Sequence, residues 1–288
     1  MKILVTNDDG YYAQGLHTLV NILRPVGDIT VVAPKYHQSG MSMAVTMGFK
    51  PIAVKELDAR EYGAVKDSER WFYLDGTPAS CVKFGIDNVM PDDKPDIIIS
   101  GINHGCNAAM ATLYSGTIGA AMEAAVNGIP AIGVSLDDLR PECDFSAVER
   151  FLPELLSTLM SHISDRYGEF YNINFPKCPA DKIKGIRTAH LGFIHWEDEY
   201  QDYDPDAAAK HGYDKQKMGL IFTPPVEPGE ELYMMAGHIC EDEINDDLSD
   251  HRLIERGYIT VSSQNIDNTD YAENRRLRSI GLDKDFLK

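Results

Sequence analysis

The sequence predicts a doubly wound, Rossmann-like α/β protein with a mostly parallel sheet. Three observations carry that expectation: short β-branched runs recur, each passes into a loop of Gly, Asn, Asp and Ser, and helical apolar patterns follow the loops. Alternation of this kind is built from right-handed crossovers, which lay parallel strands side by side with helices on both faces.

Lys2 to Thr6 is a short apolar run ending in Asn7-Asp8-Asp9-Gly10, after which Leu16, Leu19, Val20 and Leu23 repeat at helical spacing. Pro25 and Gly27 stop that helix. Ile29 to Ala33 is a second β-branched run, closed by Pro34 and followed by a polar loop from Lys35 to Gly40. Residues 57 to 70 read as a polar insertion. Asp96 to Ser100 then reads as a buried strand, Gly101 to Tyr114 as a loop, and Thr117 to Asn127 as a helix stopped by Gly128 at C′. Ala131 to Ser135 gives another strand. An amphipathic helix from Ala147 to Met160 has Ser146 and Glu149 at capping-box spacing, and Pro153 either kinks it or starts it afresh. Phe170 to Phe175 reads as a strand. Beyond it the periodicity fades, and residues 190–245 read as an extended arm leaving a single domain that spans 1–288, with 265–288 as a charged, helical tail.

Composition excludes several classes of function. The chain is 43% hydrophobic and 25% charged, with no apolar run near the roughly 20 residues that span a bilayer, so no membrane partner is expected. The opening MKILVTNDDG sets paired acids where a signal peptide needs its apolar stretch. A net charge of −18, from 45 acidic and 27 basic residues, opposes a stable complex with nucleic acid polymers. It leaves room for a small anion held beside a bound cation. Five cysteines, an odd number without a C-x-x-C pair, suggest neither a disulfide framework nor a zinc cage, and fit a reducing cytoplasm.

In open α/β sheets the ligand crevice lies beyond the carboxyl ends of the strands. Three loops at such ends present Asn7-Asp8-Asp9-Gly10, Ser39-Gly40, and Asn103 with Asn107 in GINHGCN. These side chains offer oxygen, two of them as carboxylates, which is the donor set of Mg²⁺, Mn²⁺ or Ca²⁺. Each segment alone also reads as a turn or loop; their convergence on one sheet edge is what points to a mononuclear metal site. Tyr114-Ser115-Gly116-Thr117-Ile118-Gly119 opens a helix either as an anion-binding N-terminus or as an ordinary N-cap with small packed residues. It has no P-loop lysine, and the chain has no G-x-G-x-x-G or G-x-S-x-G. His37, His104 and His238 are within reach of the site in sequence terms, but none is part of an H-x-x-x-H pair, and Cys106 reads as a small packed residue.

The motifs ILVTNDDG, AP(x)4SG at Ala33 to Gly40, GTPA at Gly76 to Ala79 and SGIN(x)GxN at Ser100 to Asn107 resemble the SurE family of stationary-phase survival proteins, 5′/3′-nucleotidases. YSGTIGAAMEA at Tyr114 to Ala124, GIPAIGVSL at Gly128 to Leu136 and NINFP at Asn172 to Pro176 extend the resemblance. It implies a phosphomonoesterase acting on nucleoside monophosphates with one divalent cation per subunit, Mg²⁺ or Mn²⁺. Asp8, Asp9, Ser39 and Asn103 match the family's metal ligands, and Asn107, Ser115, Gly116 and Thr117 fall where the family holds phosphate. Asp8 or Asp9 is then the catalytic proton acceptor. The resemblance also implies a homodimer or homotetramer built with arms of the C-terminal half. In residues 190–245 that expectation meets Trp196, Tyr200, Tyr203, Tyr213, Phe222, Tyr233, Met234 and Met235, residue types enriched in interface cores. The chain departs from the family after Gly257-Tyr258, where ITVSSQNID replaces a strand ending in Thr-Pro-Leu. A Mg²⁺-binding phosphoacceptor signalling domain and a haloacid-dehalogenase-type phosphatase are the alternatives. The second needs D-x-D after the first strand, whereas Asp8 and Asp9 are adjacent.

Overall fold

The computed structural model describes residues 1–140, 142–212, 214–216 and 226–284. Tyr213, Phe222 and the last four residues of the expected tail lie outside them. Along the chain run β1 (Lys2–Thr6), α1 (Gln14–Leu23), β2 (Asp28–Pro34), β3 (Val54–Leu57), β4 (Arg70–Leu74), α2 (Pro78–Phe84), β5 (Ile97–His104), α3 (Gly116–Val126), β6 (Ala131–Leu136), α4 (Ser146–Ser161) and β7 (Glu169–Phe175). The C-terminal part adds β8 (Ile186–Thr188), β9 (Ile194–Glu197), β10 (Tyr200–Asp202), α5 (Ala207–Lys210), β11 (Tyr233–Met235), β12 (His238–Glu241), α6 (Asp250–Glu255), β13 (Ile259–Asn265) and α7 (Tyr271–Ser279).

One nine-stranded sheet has the order β3-β4-β2-β1-β5-β6-β7-β13-β8. The run from β4 to β7 is parallel throughout, β13 turns antiparallel to β7, and β3 is an antiparallel edge. From β1 the chain steps outward through β2 to β4, then returns to the other side of β1 and steps through β5, β6 and β7. The order therefore reverses between β1 and β5, and the crevice of a doubly wound sheet opens at that point.

Strand alternation divides the core. Ile3, Val5, Ile97 and Ile99 face one side, where Leu16, Leu19 and Leu23 of α1 and Leu152 and Leu156 of α4 cover them. Leu4, Val32 and Ile98 face the other, against Cys81 and Val82 of α2 and Ala120, Ala121 and Ala124 of α3. Burial on both faces explains why these strands read as continuous apolar runs. Each such side chain removed from water contributes roughly 1.5–3 kcal/mol, which is what holds the helices to the sheet despite their short length.

Several expectations are corrected. The segment after Ser100 is not a loop: β5 continues to His104 through an irregular register between Ser100 and Asn103. Gly101 there has φ of +134°, and a Cβ on it would lie 2.2 Å from the Val134 carbonyl oxygen, so only glycine fits. Ser146 does not cap α4; the Asp144 carboxylate accepts from the Ser146 amide at 2.9 Å, and the helix runs unbroken through Pro153. The polar insertion at 57–70 conceals Glu69, which is buried and receives Arg24 at 2.9 and 3.0 Å and the Trp71 indole at 2.9 Å. Among the described residues of 190–245, β9 pairs with β12 and β10 with β11 in small antiparallel ribbons outside the main sheet. Among the described residues no helix is long and apolar enough to cross a membrane.

Candidate active site

β1 ends centrally in the sheet, so residues 7–10 leave it at the switch point, and Gly10, at φ of +99°, lets the chain turn back over β2. The Asn7 amide closes this turn on the Gly10 carbonyl at 3.0 Å. Asp8 is buried, and its Oδ1 accepts a hydrogen bond of 2.5 Å from the Thr117 hydroxyl. Asp9 lies beside it; its Oδ2 accepts from the His104 amide at 3.1 Å and its Oδ1 is 3.3 Å from His37 Nδ1. Strands β1 and β5 and the loop after β2 thus converge on two adjacent carboxylates.

Burial, and next the charge of Asp9, push the Asp8 carboxyl up to about 6, while the hydrogen bonds of Thr117 partly offset them. Burial alone would lower the His37 imidazole, but its bond to Asp9 and the fields of both carboxylates outweigh that and raise it. Two crowded carboxylates with so little compensating positive charge form a site that favours a cation.

Orphaned oxygens give the same result. The Asn103 amide donates to the Gly105 carbonyl at 2.7 Å, and among the described residues its buried Oδ1 has no partner, nor has Asn7 Oδ1. A buried acceptor left unmade costs about 1–3 kcal/mol, and coordination to a hard cation removes that cost. The residues present therefore fit a divalent ion. Ser39 is exposed, on the loop that Gln38 ties to the site by donating its amide to the Asp8 carbonyl at 2.6 Å.

Helix α3 meets this cluster end-on. Ser115 is its N-cap, accepting from the Ile118 amide at 3.1 Å, so the ordinary capping role holds for that side chain. Gly116 allows the helix to approach: a Cβ there would lie 2.8 Å from Asp8 Cβ and 3.1 Å from the Gln38 carbonyl oxygen. The first amides of a helix have no intrahelical acceptor and carry the positive end of its dipole, here directed at the paired acids.

Asn107 sits apart from these contacts in a buried amide network. Its side chain donates to Ser135 Oγ at 2.8 Å, its amide to Asn174 Oδ1 at 2.7 Å, and its carbonyl accepts from Asn172 at 2.7 Å. A phosphate contact at this position would exchange the bond to Ser135. His238 does not join the cluster; its contacts are Glu197 and Asp198. The sequence reading gave no role to Ser135, Asn172 or Asn174, although NINFP places polar residues inside a strand that is otherwise apolar. It also missed that Thr117 holds Asp8, a contact between residues 109 apart in the chain.

Fold and site together define a class: a doubly wound α/β protein that gathers paired carboxylates and amides at the switch point of its sheet, against a helix N-terminus. The chain belongs to the survival protein SurE family, whose model matches residues 3–198. It is 35% identical over 267 residues to the 5′-nucleotidase SurE of Christiangramia forsetii, covering 93% of this chain and 92% of that one. With the 5′-nucleotidase SurE of Caldanaerobacter subterraneus subsp. tengcongensis it shares 36% identity over 286 residues, 98% of each chain. The crystal structure of the SurE protein from Aquifex aeolicus matches with a TM-score of 0.72 at 25% identity, over 97% of this chain and 99% of that one.

Proposed function

We propose that this chain is a 5′-nucleotidase, a hydrolase that releases phosphate from nucleoside 5′-monophosphates and also from 3′-monophosphates, with one divalent cation per subunit. The observation that carries the reading is the pair Asp8 and Asp9 beside the unpartnered Asn103 Oδ1, facing the N-terminus of α3, in a SurE-family chain. Asp8, Asp9, Ser39 and Asn103 would hold Mg²⁺ or Mn²⁺, which supplies a Lewis acid for a phosphate oxygen and acidifies a water. Thr117 fixes the Asp8 carboxylate by its hydroxyl. The amides at the start of α3, Gly116 and Thr117 after the Ser115 cap, would stabilise the negative charge of the transferring phosphoryl group, and Asn107 would join them by exchanging its bond to Ser135. The proton of the attacking water is assigned to the Asp8–Asp9 pair, the carboxylates gathered at this strand end.

A kinetic panel of 5′- and 3′-mononucleotides against sugar phosphates, run with Mn²⁺, tests the substrate. Mononucleotides are expected to exceed sugar phosphates in kcat/KM by about tenfold or more, the scale of a few added contacts. Equal efficiency on both would make the enzyme a general phosphatase, and absence of turnover would favour the signalling-domain alternative.

The same proposal includes a cytoplasmic homodimer or homotetramer assembled through residues 190–245. Tyr200, Tyr233, Met235 and Ile239 are exposed there, and among the described residues the ribbon of β10 and β11 pairs Tyr200–Asp202 with Tyr233–Met235, a short ribbon that a partner surface would support. The Ala236 amide donates to the Glu199 carbonyl at 2.8 Å, so residues 200–235 can be excised and the ends joined by a short turn. Sedimentation is expected to give an oligomer for the full chain and a smaller species for the deletion. A full-length monomer, or a deletion that assembles normally, would remove the arm from assembly.

A further inference from the structure

The ribbon of β9 and β12 pairs His195 with Cys240 and Glu197 with His238. Residues two apart on a strand share a face, and so do directly opposed residues, so these four side chains gather on one face while Trp196 occupies the other. One donor atom each from His195, Glu197 and Cys240 falls within 4.8 Å of the others. His195 Nε2 is 3.5 Å from Glu197 Oε1, and His238 Nε2 is 3.6 Å from Glu197 Oε2.

The outer nitrogens supply a second, independent observation. His195 Nδ1 lies 3.5 Å from Asp242 Oδ2, and His238 Nδ1 lies 3.9 Å from Asp198 Oδ2. Both rings therefore turn Nε2 inward to the cluster and Nδ1 outward toward a carboxylate, at ion-pair and not hydrogen-bond distance. Metal-ligating histidines are oriented in this way, with the outer carboxylate fixing the tautomer and raising the basicity of the inner nitrogen.

We propose that this face is a second metal site, in which His195, Glu197, His238 and Cys240 bind a borderline transition-metal ion, Zn²⁺ by preference, apart from the oxygen-donor site at Asp8 and Asp9. A tetrahedral Zn²⁺ with Zn–N near 2.0 Å and Zn–S near 2.3 Å sets its donors about 3.3–3.8 Å apart. His195, Glu197 and Cys240 are grouped within 4.8 Å of one another, and His238, which now approaches the other oxygen of Glu197, joins them by rotation of its side chain. A thiolate and two imidazoles select Zn²⁺ over Mg²⁺ or Mn²⁺, so the two sites sort ions by donor type. His195, Glu197 and His238 are about half exposed and Cys240 is partly buried, and Asp198 and Asp242 add negative charge beside the histidines. No C-x-x-C announces the site because its ligands come from strands more than 40 residues apart, joined only by antiparallel pairing.

The ion would also act on the other face. Trp196 meets Tyr114 edge-on with ring centroids 5.8 Å apart, and Tyr114 immediately precedes Ser115. A metal that ties β9 to β12 holds that aromatic contact at the rim of the crevice.

The test is titration of metal-stripped full-length protein with Co²⁺, followed by Zn²⁺. The expected result is a thiolate-to-cobalt charge-transfer band, displaced by one equivalent of Zn²⁺. The band persists in Asp9→Asn and is lost in Cys240→Ser. His238→Ala weakens Co²⁺ binding by at least about a hundredfold, and Asp242→Asn by about tenfold, the range for a lost outer partner. Circular dichroism verifies that each variant is folded, and Glu197→Gln, which keeps the shape of the ribbon, serves if another is not. Absence of the charge-transfer band, its survival in Cys240→Ser, or unchanged affinity in His238→Ala and Glu197→Gln would overturn the proposal and leave an ordinary ion-paired surface.

Discussion

Stripping the divalent ion with EDTA is expected to lower phosphatase activity by about a thousandfold or more while the chain remains folded, because the Lewis acid and the acidified water are lost together. Mn²⁺ or Mg²⁺ should restore it. The same site gives a pH signature. Burial and the charge of Asp9 hold the folded-state carboxyl of Asp8 at about 6, above its ordinary value of 3.8. The metal-free folded state therefore binds a proton more tightly than the unfolded chain, and its stability falls as pH rises between about 4 and 6. Above that window the ionised pair bears the full unfavourable term, which a bound cation removes. The rise in Tm on adding Mn²⁺ should accordingly be larger near pH 7 than near pH 5, as calorimetry can measure. Metal-free protein that stays folded and retains full activity would exclude this mechanism.

Asp9→Asn is expected to lower kcat/KM by about a hundredfold or more, or ~2.7 kcal/mol of transition-state stabilisation. The substitution nearly preserves shape, so the His104 amide keeps an acceptor and the fold should survive. What it removes is one charge from the ion's surroundings, and with it the field that raises His37. Metal affinity should fall together with activity, so partial rescue by high Mn²⁺ is expected. A folded variant with wild-type turnover at limiting metal would take Asp9 out of the ligand set.

Much of the site was legible because the oxygen donors lie at strand ends that simple periodicity locates. Ile3 to Thr6 and Ile97 to Ser100 are apolar on both faces, and a strand buried on both faces in a βα alternation must be a central parallel one. Its loop then belongs to the crevice. Asp8 and Asp9 could be placed from that argument alone, whereas Asn103, expected in the loop beyond the strand, lies within β5. The extension of β5 to His104 was not legible, since its irregular register depends on Gly101 fitting beneath the Val134 carbonyl, a contact with another strand. Strand β4 escaped notice because Glu69 and Arg70 look like surface residues until Arg24 is seen to pair with Glu69. Helix α4 starts one residue earlier than expected, at Ser146 behind an N-cap at Phe145, and the Asp144 carboxylate accepts from its first amide, a difference of local backbone geometry that residue types do not encode.

The sequence by itself determined the class of fold, the strand ends that bear the candidate ligands, and the likeness to the SurE family, because periodicity and short motifs are local properties of the chain. Tertiary structure alone decided which side chains meet. Thr117 reaches Asp8, Asn107 turns to Ser135, and His195, Glu197, His238 and Cys240 come to one face of a ribbon. Each of these contacts depends on the register and approach of elements distant in sequence, set by burial of the apolar faces between them, and no local pattern records that geometry.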